Sequence, residues 1–152
     1  MRQTGIRAAI ALAQGWQLAC GVKLLGISSL DCLAAEAQAQ GCFGPVSLII
    51  DAQRNELYLA HYEICPTDCR KVTPLKLASL EEIRSQLSSG ETIAGPGVKR
   101  WFPEGRELFP TAATLGKLAS ARQDFVAGEK LEPIYLRETN FVKAPPPRFL
   151  LG

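Results

Sequence analysis

The sequence predicts a mixed α/β fold. Short apolar runs of strand length alternate with helical stretches, and capping residues stand ahead of several of those stretches. One pair of runs is joined by a turn short enough for a hairpin, and no internal repeat is visible.

The first element is a helix from Thr4, its expected N-cap, to about Cys20, with Gly21 as its stop. Arg7, Gln14 and Gln17 form one narrow polar stripe, and Ile6, Ala9, Ile10 and Ala13 make an apolar face. Ala8, Ala11, Leu12, Gly15 and Ala19 leave most of the remainder small or apolar. A helix apolar over so much of its circumference is buried on more than one side, either wholly in the core or between core and partner. Arg2 and Arg7 ahead of an apolar stretch faintly suggest a leader. Gln14 and Gln17 interrupt that stretch, and it is shorter than the ~20 apolar residues that span a bilayer. The stretch therefore reads as a helix of a soluble protein.

Val22 to Ile27 is readable as a short strand, and Ser28 or Ser29 caps a helix from Leu30 to about Gln40. Val46 to Ile50 hardly alternates, as expected of a strand buried on both faces. Asp51 to Asn55 is a turn, with Asn55 able to take the left-handed conformation. Glu56 to Ile64 then pairs back, with Leu57, Leu59 and His61 on one face and Tyr58, Ala60 and Tyr62 on the other. Lys71 to Leu75 is expected to be extended. Ser79-Leu-Glu-Glu82 is a capping box opening a helix to Leu87, and Ser88-Ser89-Gly90 ends it. Thr92 to Ala94 is a strand running into Gly95-Pro96-Gly97. Pro103, Gly105 and Pro110 mark a loop, and Thr111 caps a last helix expected to reach Ala127. Residues 133–137 are extended, and Pro145-Pro146-Pro147 stiffens the tail.

Composition narrows the function. Hydrophobic residues make up 47%, charged residues 21%, and the net charge is +2. The charges are scattered, which excludes the dense basic stripe of an autonomous nucleic-acid binder. Cys20, Cys32, Cys42, Cys65 and Cys69 are odd in number and irregularly spaced, so reduced thiols are expected. Cys65 and Cys69 could make half a metal site, but no second Cys/His pair exists, and His61 is the only histidine.

Several stretches together resemble the TsaB (YeaZ) family. Thr4-Gly5-Ile6-Arg7 with Ala13-Gln14-Gly15 is similar to that family's Thr-Gly-Leu-Arg and Ala-Gln-Gly. Leu25 to Leu30 resembles Val-Gly-Val-Ser-Ser-Leu. Ile50-Asp51-Ala52, then Arg54, Glu56 and Tyr58, resembles Ile-Asp-Ala-Arg-x-Gly-Glu-Val-Tyr. Glu132 to Arg137 is similar to Glu-Pro-Val-Tyr-Leu-Arg. The matches arrive in family order over nearly the whole chain. Asn55 stands where the family has Gly, and Gln53 where it has Arg.

The resemblance implies an actin-like ATPase (ribonuclease H-like) fold, mostly its second lobe. Residues 1–137 would form the TsaB-like (Gcp-like) domain, lacking the family's opening Asp-Thr-Ser strands, and 138–152 a Pro-rich tail. It implies a cytoplasmic, non-catalytic subunit without a cofactor, which dimerises with a TsaD-like transferase and meets a TsaE-like ATPase through the complex. A homodimer is a further expectation, tRNA contact is expected to be indirect, and no membrane is involved. The complex makes threonylcarbamoyladenosine beside the anticodon of ANN-decoding tRNAs. On this sequence the partner helix maps to Thr4, Ile6, Arg7, Ile10, Gln14 and Gln17, and the family turn to Asp51, Arg54, Asn55 and Glu56. The expectation follows that charge at Ile10 weakens partner binding, and that the chain alone is not a well-behaved monomer.

Two alternatives stay open at this point: a degenerate nucleotide-binding protein of the same fold without a tRNA role, or a non-functional short product. A peptidase is disfavoured by a single histidine and no paired metal ligands. Gly95-Pro96-Gly97 after a strand could face a phosphate, although a short Gly-rich turn is usually only a turn.

Overall fold

The computed structural model describes residues 3–87, 90–134 and 136. Ser88, Ser89, Tyr135, Arg137 and the Pro-rich tail at 138–152 lie outside them.

The centre is a six-stranded sheet around the hairpin of β1 (Gly44–Asp51) and β2 (Glu56–Cys65). Their antiparallel register runs from Gly44 opposite Ile64 to Asp51 opposite Leu57. β3 (Asp68–Lys71) and β4 (Lys76–Ser79) share the other edge of β2, β3 against its second half and β4 against its first. On the far side β5 (Thr92–Gly95) runs parallel to β1, and β6 (Arg106–Glu107) runs parallel to β5.

Helices cover both faces, which explains why β1 lacks alternation. Val46 and Leu48 pack with Ala60, Tyr62 and Ile64 against Leu30, Leu33, Ala34 and Ala37 of α2 (Ser29–Ala39). Ile49, Leu57 and Leu59 pack on the opposite face against Ile83 of α3 (Leu80–Gln86), with Val98 and Phe102. Both helices start as their sequences dictate. Ser28 accepts the Leu30 N–H at 3.2 Å, and Ser79 accepts the Glu82 N–H at 3.2 Å.

The remaining helices are α1 (Gln3–Cys20) and α4 (Ala112–Ser120). Thr111 caps α4, accepting the Thr114 N–H at 3.1 Å. Its hydroxyl also donates to Glu36 of α2 at 2.5 Å, so the cap doubles as a link between helices.

Several expectations are corrected. Thr4 lies within the first turn of α1 rather than ahead of it. Val22 to Ile27 is not a strand: only Leu24 forms a bridge, to Val126, whose N–H reaches the Leu24 carbonyl at 2.9 Å. That pairing draws Val126 into extended backbone, so α4 ends at Ser120 instead of Ala127. Of the extended stretch expected at Lys71–Leu75, only Lys71 is in a strand. Val72 and Thr73 instead bond to the His61 backbone between β3 and β4.

Candidate partner interface

No side chain from Gly5 to Cys20 is buried, which sets α1 apart from α2. The half-buried positions are Ile6, Ile10, Ala13, Gln14 and Gln17, one face at helical spacing. On that face, the amide of Gln14 donates to the Gly128 carbonyl at 2.7 Å. The Gly128 N–H in turn donates to Oε1 of Gln17, also at 2.7 Å. Gly128 opens the 3₁₀ turn Gly128–Lys130, and a Cβ there would stand 2.7 Å from Gln17 Oε1. The polar stripe seen in the sequence thus joins α1 to the C-terminal part of its own chain. Gly21, at φ +65°, closes α1, its N–H donating to Gln17 carbonyl oxygen at 2.9 Å.

The other side of α1 carries Gly5, Ala8, Leu12, Gly15, Trp16 and Ala19, all exposed and recurring every three or four residues. Leu12 is 56% and Trp16 58% exposed. Small residues around two large apolar ones allow close approach of another backbone while giving it side chains to grip. Of the sequence-assigned interface residues, Arg7 is exposed on the Gln14 side of the helix, not on this face. Ile6, Ile10, Gln14 and Gln17 lie on the face toward Gly128. Leu12 and Trp16 were missed as a pair because burial on the two sides of a helix is not encoded in its own composition.

The turn assigned from the sequence is built by Asp51, whose Oδ1 accepts the Gln53 N–H at 2.7 Å. Gln53, Arg54 and Asn55 all have positive φ, at 65°, 56° and 62°. Asn55 is left-handed as expected; the two residues before it were not foreseen. Glu56 closes the turn with its N–H on the Gln53 carbonyl at 3.1 Å.

The family described as "TsaD: tRNA N6-adenosine threonylcarbamoyltransferase" matches residues 3–135. The chain belongs to the family of TsaD and TsaB (YeaZ) proteins. A curated relative, the tRNA threonylcarbamoyladenosine biosynthesis protein TsaB of Escherichia coli (strain K12), is 30% identical over 151 aligned residues. The match covers 88% of this chain and 65% of that protein, so the chain spans just under two thirds of that relative's length. YeaZ from Pseudomonas aeruginosa shares the fold at a TM-score of 0.74 and 26% identity, over 89% of this chain and 69% of that one. A second Pseudomonas aeruginosa structure, described as an uncharacterized protein with similarity to peptidase YEAZ, has a TM-score of 0.74 at 28% identity. It covers 90% of this chain and 69% of its own. The sheet with helices on both faces is therefore that of the actin-like ATPase (ribonuclease H-like) fold.

Within this TsaB-like fold, His61 joins a polar cluster that no local sequence signal announced. Its Nδ1 lies 2.7 Å from Ser47 Oγ and 3.0 Å from Glu91 Oε1, and the Ser47 hydroxyl donates to Glu91. Ser47 is fully buried in β1. Serine and carboxylate meet at one ring nitrogen, whereas a nucleophile relay needs them on opposite nitrogens. The cluster ties β1, β2 and the approach to β5 together. The Gly95-Pro96-Gly97 turn is likewise engaged by its own chain: the Gly97 N–H donates to Glu107 at 2.6 Å. A carboxylate thus holds the N–H that a phosphate would need. Among the described residues, no three His, Cys, Asp or Glu side chains converge as a metal site, and no helix is long and apolar enough to cross a membrane.

Proposed function

We propose that this chain is a non-catalytic partner subunit in tRNA threonylcarbamoyladenosine formation, binding a TsaD-like transferase through the outward face of α1. A TsaE-like ATPase would join through that pair, and tRNA would be met through the complex rather than by this chain alone. The observation that carries the reading is the exposed stripe Gly5, Ala8, Leu12, Gly15, Trp16 and Ala19. It lies on a helix already tethered from its other side by Gln14 and Gln17. Tethering orients the helix in advance and reduces the ordering cost of association. The turn Asp51, Arg54, Asn55 and Glu56 supports the reading as a family feature of the β1–β2 hairpin.

Reconstitution tests it. The TsaD-type transferase of the same organism, supplied with donor and unmodified tRNA, should form threonylcarbamoyladenosine faster when this chain is added. An equal rate with and without the chain, under conditions where the two proteins are mixed at micromolar concentration, would reject the role.

A further inference from the structure

A cavity of about 280 Å³ opens on the α2 side of the sheet, between α2, the β2–β3 turn and α4. It lies at the opposite end of β2 from the Asp51–Glu56 turn, and no residue of α1 lines it. Ala34 and Ala35 of α2 leave the room, and Leu118 of α4 and the Tyr62 ring complete the apolar part. The polar part is Asp31 and Gln38, on one side of α2, with Asp68 of β3.

The hydrogen bonding of this lining is one-sided. Its donors turn into the protein: the Tyr62 hydroxyl donates to Asp31 Oδ1 at 2.7 Å, and Gln38 Nε2 to the Cys65 carbonyl at 2.7 Å. The Cys69 thiol donates to the Ala34 carbonyl at 3.5 Å, and the Cys69 N–H to Asp68 Oδ1 at 2.8 Å. Burial first, and then the bond to Asp31, raises the Tyr62 hydroxyl above the ordinary phenol range; burial likewise raises the Cys69 thiol. Both therefore keep their protons at neutral pH. What remains on offer is acceptor: the second carboxylate oxygens of Asp31 and Asp68, and Oε1 of Gln38. The chain's own Lys71 already answers Asp31 from the rim, its Nζ 2.8 Å from Oδ1 and 5.5 Å from the centroid of the Tyr62 ring. This carboxylate and ring thus hold a cation within the protein itself.

An occupant must bring several donors, positive charge and a short apolar stem. A guanidinium does so: its planar fork serves more than one acceptor, and its methylene stem suits Ala35 and Leu118. About 280 Å³ is just below the ~300 Å³ at which small-molecule pockets begin, so the space suits one side chain. We propose that this cavity receives an arginine side chain of a partner protein, its guanidinium facing Asp31 and Asp68. The proposal does not rest on the α1 reading.

The full chain is titrated with acetyl-Gly-Arg-Gly-amide to about 50 mM and followed by amide NMR, because one side chain alone binds in the millimolar range. Saturable shifts centred on Ala34, Ala35, Gln38 and Asp68 are expected, and none from the uncharged citrulline peptide. Asp31→Asn/Asp68→Asn keeps an acceptor for Tyr62 and should weaken binding at least about tenfold. Ala35→Leu fills the space without touching a charge and should weaken it by a similar factor. Lys71→Ala frees Asp31 and should tighten binding about threefold. Arg70→Ala loses the same charge from the opposite face of β3 and should change binding less than about 1.5-fold. Spermidine saturating the same signals more tightly than the peptide would make the occupant a free polyamine and overturn the protein assignment. No saturable shifts, equal shifts from the citrulline peptide, full affinity in Ala35→Leu, or equal gains from Lys71→Ala and Arg70→Ala would overturn the site. No transferase enters the titration, so its outcome is separate from that of the subunit role.

Discussion

The outward face of α1 makes a quantitative prediction. Leu12→Ala removes three carbons, worth about 2.4 kcal/mol if they pass fully from water to an apolar contact. Leu12 is already partly covered, 56% exposed, so about 1.3 kcal/mol remains to be gained on binding, roughly tenfold in Kd. Trp16, 58% exposed, is the aromatic anchor of the face. Truncating such an anchor costs about 2 kcal/mol or more, roughly 30-fold. Neither side chain supports the core, so each change should alter unfolding free energy by less than about 0.5 kcal/mol. Calorimetric titration of each variant into the TsaD-type subunit gives Kd, and urea unfolding gives stability. Unchanged Kd for both variants would refute the assignment. So would a loss of stability as large as the loss of affinity, since that would place the residues in the fold. These residues test the interface better than Ile10, which lies half-buried on the face toward Gly128.

Three further outcomes follow from particular contacts. Gln14→Ala/Gln17→Ala removes two hydrogen bonds to Gly128, about 2 kcal/mol together, and should speed amide exchange in α1 roughly 30-fold while leaving β1 and β2 protected. The hydroxyls of Thr111 and, next, Thr114 hold the Glu36 carboxyl below its ordinary range. A lowered folded value means that this α2–α4 link stabilises above the ordinary carboxylate pKa and is lost as pH falls through the lowered one. Glu36→Gln should therefore flatten the loss of stability below about pH 4, read from urea midpoints across an acid series; an unaltered acid limb would contradict it. Gly95→Ala places a Cβ 2.0 Å from the Ile49 carbonyl oxygen and should cost more than about 4 kcal/mol. Gly97→Ala, left-handed at φ +68° but with open space, should cost only roughly 1–2 kcal/mol by the same assay.

What could be read in the sequence was local. Caps at Ser28, Ser79 and Thr111, the stop at Gly21 and the hairpin between Asp51 and Glu56 depend on a few neighbouring residues, and all are present. The unbroken apolar run of β1 correctly implied cover on both faces. What failed depends on distant partners. Leu24 had strand-like neighbours but one pairing residue, Val126, and that same pairing cut short the helix expected to run past Ser120. β6 is two residues long and exists only because it runs beside β5. The Ser47–His61–Glu91 cluster joins residues far apart in sequence, so His61 looked solitary. In α1 the polar stripe was legible, but not that it turns toward Gly128 and leaves Leu12 and Trp16 outward.

The central claim, that α1 is the partner-binding element, is tested most directly by hydrogen exchange on the full chain, free and mixed with the TsaD-type transferase of the same organism. Helix amides report burial of the faces they underlie, because protection follows suppression of local opening. Strong new protection across Gly5–Cys20, with α2 and the β1–β2 hairpin changed little, is the predicted result. A stable complex whose protection falls on the β3–β4 edge or on α4, with α1 exchanging as in the free chain, would contradict it.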